Sequence, residues 1–447
     1  MGGGGLRRLW PALFLLYGFP FQGAERQPSR LVAPLSLPAT VKIRVLTLFQ
    51  PRSVWLHARK QPAPLQLAGQ AITLRPGAAY RLEQAADGLI LWQGAQRLAA
   101  GKSLTVAADD VDVEVIGRKT RLRRHFCGAL AIAARQGRLQ LVVTQSLEAV
   151  VASVVNAELP SEAPLEAGKA LAVAARSYMA GHLGRHAGDG ADFCDSTHCQ
   201  LFLGEQWMRQ GATGEASGKL SRLGQAAAEQ TAGEALRATD GALYPTYFAA
   251  CCGGRTTTPE EAFGNGTAPH TGGGVGCEWC KGSRFYAWTR QVERRALAKA
   301  LLPDAAATDD LRIEVAGRSP DGCVTSVSVI SGARRMVLPN RQFRHLAGQR
   351  LGWNLAPSSR YVIESQGETL ILRGRGFGHH VGLCLAGAMA QARAGRDYRA
   401  ILAHYFPKAV CAPEKSLKPA PRSGASWGAL AERERATPPP PSQGRRP

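Results

Sequence analysis

One acidic side chain in an apolar setting is the strongest candidate for chemistry in this chain. Glu158 follows Val154-Val155-Asn156-Ala157 and precedes Leu159-Pro160, and a Pro-bounded turn, Ser161-Glu162-Ala163-Pro164, leads into an Ala-rich run from Leu165 to Tyr178. Two readings fit. Asp and Glu near a helix N-terminus complement the macrodipole, so spacing alone makes Glu158 a helix-entry acid. A carboxyl among apolar neighbours also has its pKa raised, which would make it a proton donor near neutral pH. His379 and His380 follow Gly374-Arg375-Gly376-Phe377-Gly378, where glycine at every second place gives a backbone that suits a site imidazole as well as a structural one. Cys194, His198 and Cys199 offer soft and borderline donors suited to zinc, but not a complete set of four, and a disulfide between the cysteines is the alternative. Cys277-Glu278-Trp279-Cys280 is a C-x-x-C pair that can be half a zinc site, a redox centre or a staple bridging to Cys252. No thioredoxin-like βαβ pattern surrounds it, which disfavours redox work.

The elements that position these groups follow from periodicity. From about Thr40 to Leu141, period-two runs such as Val41–Leu46 and Val111–Ile116 alternate with glycine turns and predict a β-rich region. The basic cluster from Arg121 to His125 reads as a solvated strand edge guarded against unwanted pairing. A helix-compatible run from Ser146 delivers the chain to Glu158, and a second helix starts with Pro164, with Arg176 and Ser177 towards its C-terminal end. Further helices are expected over residues 222–240, 291–303, 340–351, 385–394 and 398–405. Strands are expected over 244–256, as two strands turning at Pro320-Asp321-Gly322 over 311–338, and as a hairpin over 361–373.

With 447 residues the chain has room for two or three domains. Its 55 Lys and Arg against 34 Asp and Glu give a formal charge of +21, which favours polyanionic partners. No nucleic-acid motif accompanies that charge, so no nucleic-acid partner is expected. Arg7-Arg8, the apolar run Leu9–Tyr17 and small residues at Gly23-Ala24 read as an export signal over 1–24. The run is too short to span a bilayer and nothing later is longer, so no membrane span is expected beyond that segment, and the protein is expected in the periplasm, cell wall or extracellular space. Residues 412–447, rich in Pro, Ser, Arg and Glu, read as a disordered tail.

Five blocks resemble one family in order and spacing: Val155-Asn-Ala-Glu158-Leu-Pro160, Gly168-Lys-Ala-Leu-Ala-Val-Ala-Ala-Arg176-Ser177-Tyr178, Cys251-Cys-Gly253-Gly254-Arg255-Thr256, Gly374-Arg-Gly-Phe377-Gly-His379-His380-Val-Gly382, and Tyr398-Arg-Ala-Ile-Leu-Ala-His404-Tyr-Phe-Pro407. They are similar to the blocks of the SpoIID/LytB family over roughly residues 115–411. The resemblance implies an α+β fold, a SpoIID-type catalytic domain of mixed helices and antiparallel strands over 115–411, with a β-rich N-terminal region over 40–114. It also implies a peptidoglycan lytic transglycosylase that cuts the bond between N-acetylmuramic acid and N-acetylglucosamine in denuded glycan strands. Glu158 would be its single acid, and Arg176, Ser177, Tyr178, Arg255, Thr256, Phe377, His379 and His380 would bind the glycan. Such chemistry requires no cofactor. Some members carry zinc beside the site, and Cys194, His198 and Cys199 lie in the matching loop.

The chain departs from the family pattern at three places. Phe377 replaces a Trp, His380 a Gly, and Ala249-Ala250 a His and a Ser. The rival reading is a non-catalytic wall-binding protein whose partner is an amidase. A hydrolase using water would need a second carboxylate, for which Glu162 is the nearest in sequence.

Overall fold

The computed structural model describes residues 37–413 apart from 108–110, 118–119, 212–213, 220, 240, 264–273 and 303–310. The export segment 1–24 and all but the first two residues of the 412–447 tail lie outside the described residues. Helices and antiparallel strands mix in several sheets, so the fold is α+β. No helix among the described residues is long and apolar enough to cross a membrane.

Two large sheets share one core. The seven-stranded sheet runs, from edge to edge, Phe193–Cys194, Thr40–Val45, Arg138–Ser146, Ala129–Arg135, Ser103–Ala107, Ala63–Leu67 and Gln70–Leu74. The eight-stranded sheet runs Gly214–Lys219, Gln206–Gly211, Thr120–Phe126, Val111–Ile116, Ser53–Ala58, Tyr80–Ala85, Gly88–Gln93 and Gln96–Gly101. Alternate residues such as Val41, Ile43 and Val45, or Val54, Leu56 and Ala58, are buried, as a sheet with one face on a core requires. Both sheets take strands from either side of residue 114, so the β-rich region and the helical region are built together.

Thr120–Phe126 is not the edge strand its basic residues suggest, because it pairs with Val111–Ile116 on one side and Gln206–Gly211 on the other. Its charges are matched internally: Arg123 with Asp112 at 2.6 Å, Arg121 with Glu114, and Arg124, 1% exposed, with Asp195 at 2.6 Å.

Strand Arg138–Ser146 leads directly into helix α1, Leu147–Glu158, with the Ser146 hydroxyl accepting the Ala149 N–H at 3.3 Å. Such an N-cap contributes about 1 kcal/mol. Helix α2, Leu165–Gly181, packs on α1 and is buried from Ala167 to Ala180 apart from Lys169. Small alanines permit that close approach. Helix α3, Arg222–Gln230, is shorter than the composition suggests. Thr231 Oγ1 donates to the Ala227 carbonyl, and Glu234–Arg237 then pairs with Val410–Pro413 at the far end of the chain. Long-range pairing overrides helix propensity there.

After the short helix α4, Pro259–Phe263, the chain enters an inserted unit with a second core. Strands Ala287–Glu293, Thr369–Arg375 and Arg360–Gln366 form one of its sheets. The other has three strands, not the two expected: Arg312–Arg318, Val324–Ser331 and Arg334–Pro339, with a second turn at Gly332. Helices α5, Arg294–Leu301, and α6, Asn340–Leu351, cover them. Helices α7, Leu385–Arg393, and α8, Tyr398–Tyr405, return to the main core.

Candidate active site

Glu158 is the last residue of α1, so it sits at the carbonyl end of a helix and not at an entry. Pro160 explains the stop, since the residue before a proline is pushed out of the helical region; Leu159 is extended, with φ −115° and ψ 147°. The buried side chains of Val150, Val151, Val154 and Val155 anchor the helix in the core and leave Glu158 only 8% exposed. Burial raises its pKa to about 7, against a smaller opposing effect from the Leu201 N–H bonded to it. The carbonyl end of α1 adds to the penalty on a negative charge. Desolvation, with the Leu201 N–H opposing it, accounts for this shift. Leu201 and Leu203, packed with Ala157 and Trp207, form the neighbouring apolar patch.

The loop that brings Leu201 to Glu158 is tied down at several points. Asp195, 4% exposed, accepts from Arg124, from the Leu46 N–H at 2.7 Å and from the Thr47 hydroxyl. The Gln200 amide donates to the Ala175 carbonyl of α2 at 3.2 Å. Between these anchors His186, Cys194, His198 and Cys199 bring their ligand atoms within 4.8 Å of one another. His198 Nδ1 lies 3.7 Å from each of the two sulfurs and 3.3 Å from His186 Nε2. His186 turns its other nitrogen towards Asp189 at 3.5 Å, an arrangement that orients a metal-binding imidazole. Two thiols and two imidazoles make a complete tetrahedral zinc set. Sequence reasoning missed His186, although a spacing of H-x7-C-x3-H-C would have pointed to it.

An aromatic cluster lies beside this loop. Tyr178 stacks on His182 with centroids 4.3 Å apart, Tyr247 meets Tyr178 edge-on at 5.7 Å, and Phe263 lies 5.3 Å from Tyr247 and 5.1 Å from His379. His182 Nε2 lies 2.9 Å from the Tyr247 hydroxyl. Burial lowers the pKa of His182 and of His379 to about 4, so both imidazoles are neutral at pH 7. Phe377 packs against Phe285 at 5.0 Å.

The two glycine-rich loops approach each other. Gly253 and Gly376 both have positive φ, and a Cβ on Gly253 would fall 2.6 Å from the Gly376 nitrogen. A Cβ on Gly376 would meet His380 Nε2 at 2.5 Å and the Cys251 carbonyl oxygen at 2.8 Å. Cys251 and Phe377 exchange backbone hydrogen bonds at 3.2 and 2.8 Å across the contact. Residues 244–256 are therefore less a regular strand than an extended segment mated to residues 376–384, with a short ladder only at Phe248–Ala249. Gly376→Ala should lower stability by about 2–5 kcal/mol, combining left-handed strain with overpacking against backbone atoms. Its urea midpoint should fall with the slope unchanged.

The description "Stage II sporulation protein", SpoIID, matches residues 131–240, the stretch holding Glu158, α2 and the ligand-rich loop. Stage II sporulation protein D of Bacillus amyloliquefaciens is 26% identical over 264 residues, covering 58% of this chain and 72% of its own. The protein of that name from Bacillus subtilis is 27% identical over 279 residues, covering 60% and 74%. Residues 131–240 are thus similar to the SpoIID family. An uncharacterized protein of Brachyspira hyodysenteriae is 28% identical over 283 residues, covering 63% of this chain and 70% of its own.

The SpoIID blocks do not all supply groove residues. Arg176 is 0% exposed; it donates to both carboxylate oxygens of Glu148 and to the Glu234 carbonyl, so its fork is used inside the core. Ser177 Oγ donates to the Val173 carbonyl and accepts the Leu236 N–H, which ties Glu234–Arg237 to α2. Thr256 is buried against Val275. His380 is 1% exposed at φ 66°, and its ring lies beneath Gly376. None of these four has a side chain free to touch a glycan: helix α2 is buried on nearly all sides, and the interlocked loops turn Thr256 and His380 inward. Tyr178 is 3% exposed and joins the aromatic cluster. Arg255 is exposed and pairs with Asp321 at 3.2 Å, while Phe377 and His379 are half-buried. The half-buried Tyr247, unmarked by sequence reasoning, connects His182, Tyr178, Phe263 and His379.

Proposed function

We propose that this SpoIID-like protein is a peptidoglycan lytic transglycosylase. The observation that carries the reading is the burial of Glu158 at the end of α1, 8% exposed, where desolvation raises its pKa to about 7. Glu162, the nearest acid in sequence, is exposed and bonded by the Ser161 hydroxyl, so it is no second catalytic carboxylate. Hydrolysis by water normally uses two carboxyl groups, whereas an intramolecular displacement needs one.

In the proposed reaction protonated Glu158 gives its proton to the glycosidic oxygen as the bond to the anomeric carbon of N-acetylmuramic acid breaks. The C6 hydroxyl of the same sugar forms the new bond to that carbon, and its proton returns to the Glu158 carboxylate. No water is consumed, and Glu158 ends as it began. The apolar patch of Leu201, Leu203 and Trp207 keeps the carboxyl dry, and the exposed edges of Phe263 and Phe377 with Arg255 offer ring faces and a cation to the glycan. Zinc bound by His186, Cys194, His198 and Cys199 would hold the loop that carries the Leu201 N–H to Glu158; its role there is structural. An exported location accords with this substrate.

Purified protein incubated with denuded glycan strands should give fragments ending in anhydro-muramic acid, one water lighter by mass than reducing ends. Reducing ends would mean hydrolysis. No cleavage, with stimulation of an added amidase, would favour the wall-binding activator instead, a reading that the alanines at 249 and 250 support by removing polar side chains beside the loops.

A further inference from the structure

Five cysteines outside the proposed active site converge in the core. Cys252, Cys277, Cys280 and Cys384 are each no more than 1% exposed, and their sulfurs all lie within 4.8 Å of one another. They come from three separate segments: the glycine loop, the turn Glu278–Cys280 and the N-terminus of α7. Cys251 lies close by, within reach of Cys280 and Cys384.

We propose that Cys252, Cys277, Cys280 and Cys384 bind a zinc ion as four thiolates, a second and purely structural metal site. The sulfur spacing fits. A tetrahedral zinc with Zn–S of about 2.3 Å sets its sulfurs about 3.8 Å apart, and Cys252 Sγ lies 3.7 Å from Cys280 Sγ. The surroundings suit thiolates as well. Cys384 Sγ accepts the Cys252 N–H at 3.3 Å and the Gly387 N–H at 3.4 Å, and as the N-cap of α7 it faces the positive end of a helix. Tyr405 places its hydroxyl 3.1 Å from Cys277 Sγ. Gly387 leaves room for this contact, since a Cβ there would fall 2.0 Å from the Tyr405 oxygen and 2.8 Å from Cys277 Sγ. Outer hydrogen bonds of this kind orient ligands and stabilise their charge. C-x-x-C supplies two ligands from one turn, and tetrahedral sulfur-only sites select zinc among redox-inert ions.

The ion would join the glycine loop of residues 251–256 to α7 and to the turn Glu278–Cys280 ahead of strand Ala287–Glu293. It would thus fix the base of the two interlocked loops that present Arg255, Phe377 and His379. Zinc binding and folding of this region should be coupled.

The test counts metal by mass spectrometry in protein made in zinc-supplemented medium. Cys280→Ser should hold about one zinc ion per chain fewer than wild type, and Cys251→Ser should hold as much as wild type. Because Cys280→Ser can also lose the fold, a second protein keeps this cluster intact: Cys194→Ala/His198→Ala should retain zinc, with X-ray absorption showing a sulfur-only shell at about 2.3 Å. Zinc absent from that protein, nitrogen or oxygen in the shell, iron in place of zinc, or a disulfide joining any two of the four cysteines by peptide mapping would overturn the proposal. None of these outcomes bears on the product analysis of glycan cleavage.

Discussion

Glu158→Gln should lower glycan cleavage by about 10²–10⁴-fold, the range for loss of a positioned general acid, while leaving the protein folded. Glutamine keeps the shape and still accepts the Leu201 N–H, but it has no proton to deliver. The wild-type rate should also fall as pH rises through about 7, where Glu158 loses its proton. Stability carries the same signature. The folded-state pKa, about 7, lies above the ordinary 4.5, so the unfolded chain releases this proton first as pH rises. The contribution of neutral Glu158 is therefore complete below about pH 4.5 and is lost between there and pH 7, on the order of 3 kcal/mol in total. Glu158→Gln should remove that slope and be more stable than wild type at pH 8. Urea unfolding at pH 5 and pH 8, run beside the cleavage assay, checks both. Equal pH slopes in the two proteins would remove the raised pKa, and an active glutamine variant would remove the catalytic assignment.

Asp195→Ala should lower stability by about 3–5 kcal/mol, because it removes the carboxylate paired with the buried Arg124 guanidinium. The Leu46 N–H and the Thr47 hydroxyl would lose their acceptor at the same time. The end of strand Thr40–Val45, the loop with the four metal-ligand candidates and strand Thr120–Phe126 all meet at this pair, so cleavage activity should fall with stability. The double variant Arg124→Met/Asp195→Leu should recover most of the loss, since removing both charges also removes the desolvation penalty. Urea midpoints for the single and double variants measure the difference. A single variant as stable as wild type would mean that Arg124 reaches water or another anion.

Much of this outcome was legible from residue patterns. Period-two alternation identified the strand-rich first part, and Pro160 and Pro164 bracketed the turn between α1 and α2. The helix over 222–240 failed because Glu234–Arg237 found a strand partner at Val410–Pro413, more than a hundred and seventy residues away. Glu158 ends the helix that the run from Ser146 predicted and does not start the next one, where the helix-entry reading put it. Ser146 and Pro160 together fix that register, and both are local signals that favour the helix ending at Glu158.

The sequence by itself determined the five blocks and the strand-rich first part, because those rest on residue type, order and local periodicity; the expected α+β class and Glu158 as candidate acid came from the resemblance that the blocks carry. Only the tertiary structure decided which charged and polar groups lie inside. Arg124 read as part of a solvated strand edge, and Arg176 and His380 as glycan-binding residues by resemblance, yet each is buried, the two arginines against carboxylates from other segments and His380 beneath a neighbouring loop. The same holds for the ligand clusters: Cys252, Cys277, Cys280 and Cys384 span three segments, and His186 joins Cys194, His198 and Cys199 only once the loop closes. Burial and convergence depend on what packs against a residue, and that partner is set by the whole chain.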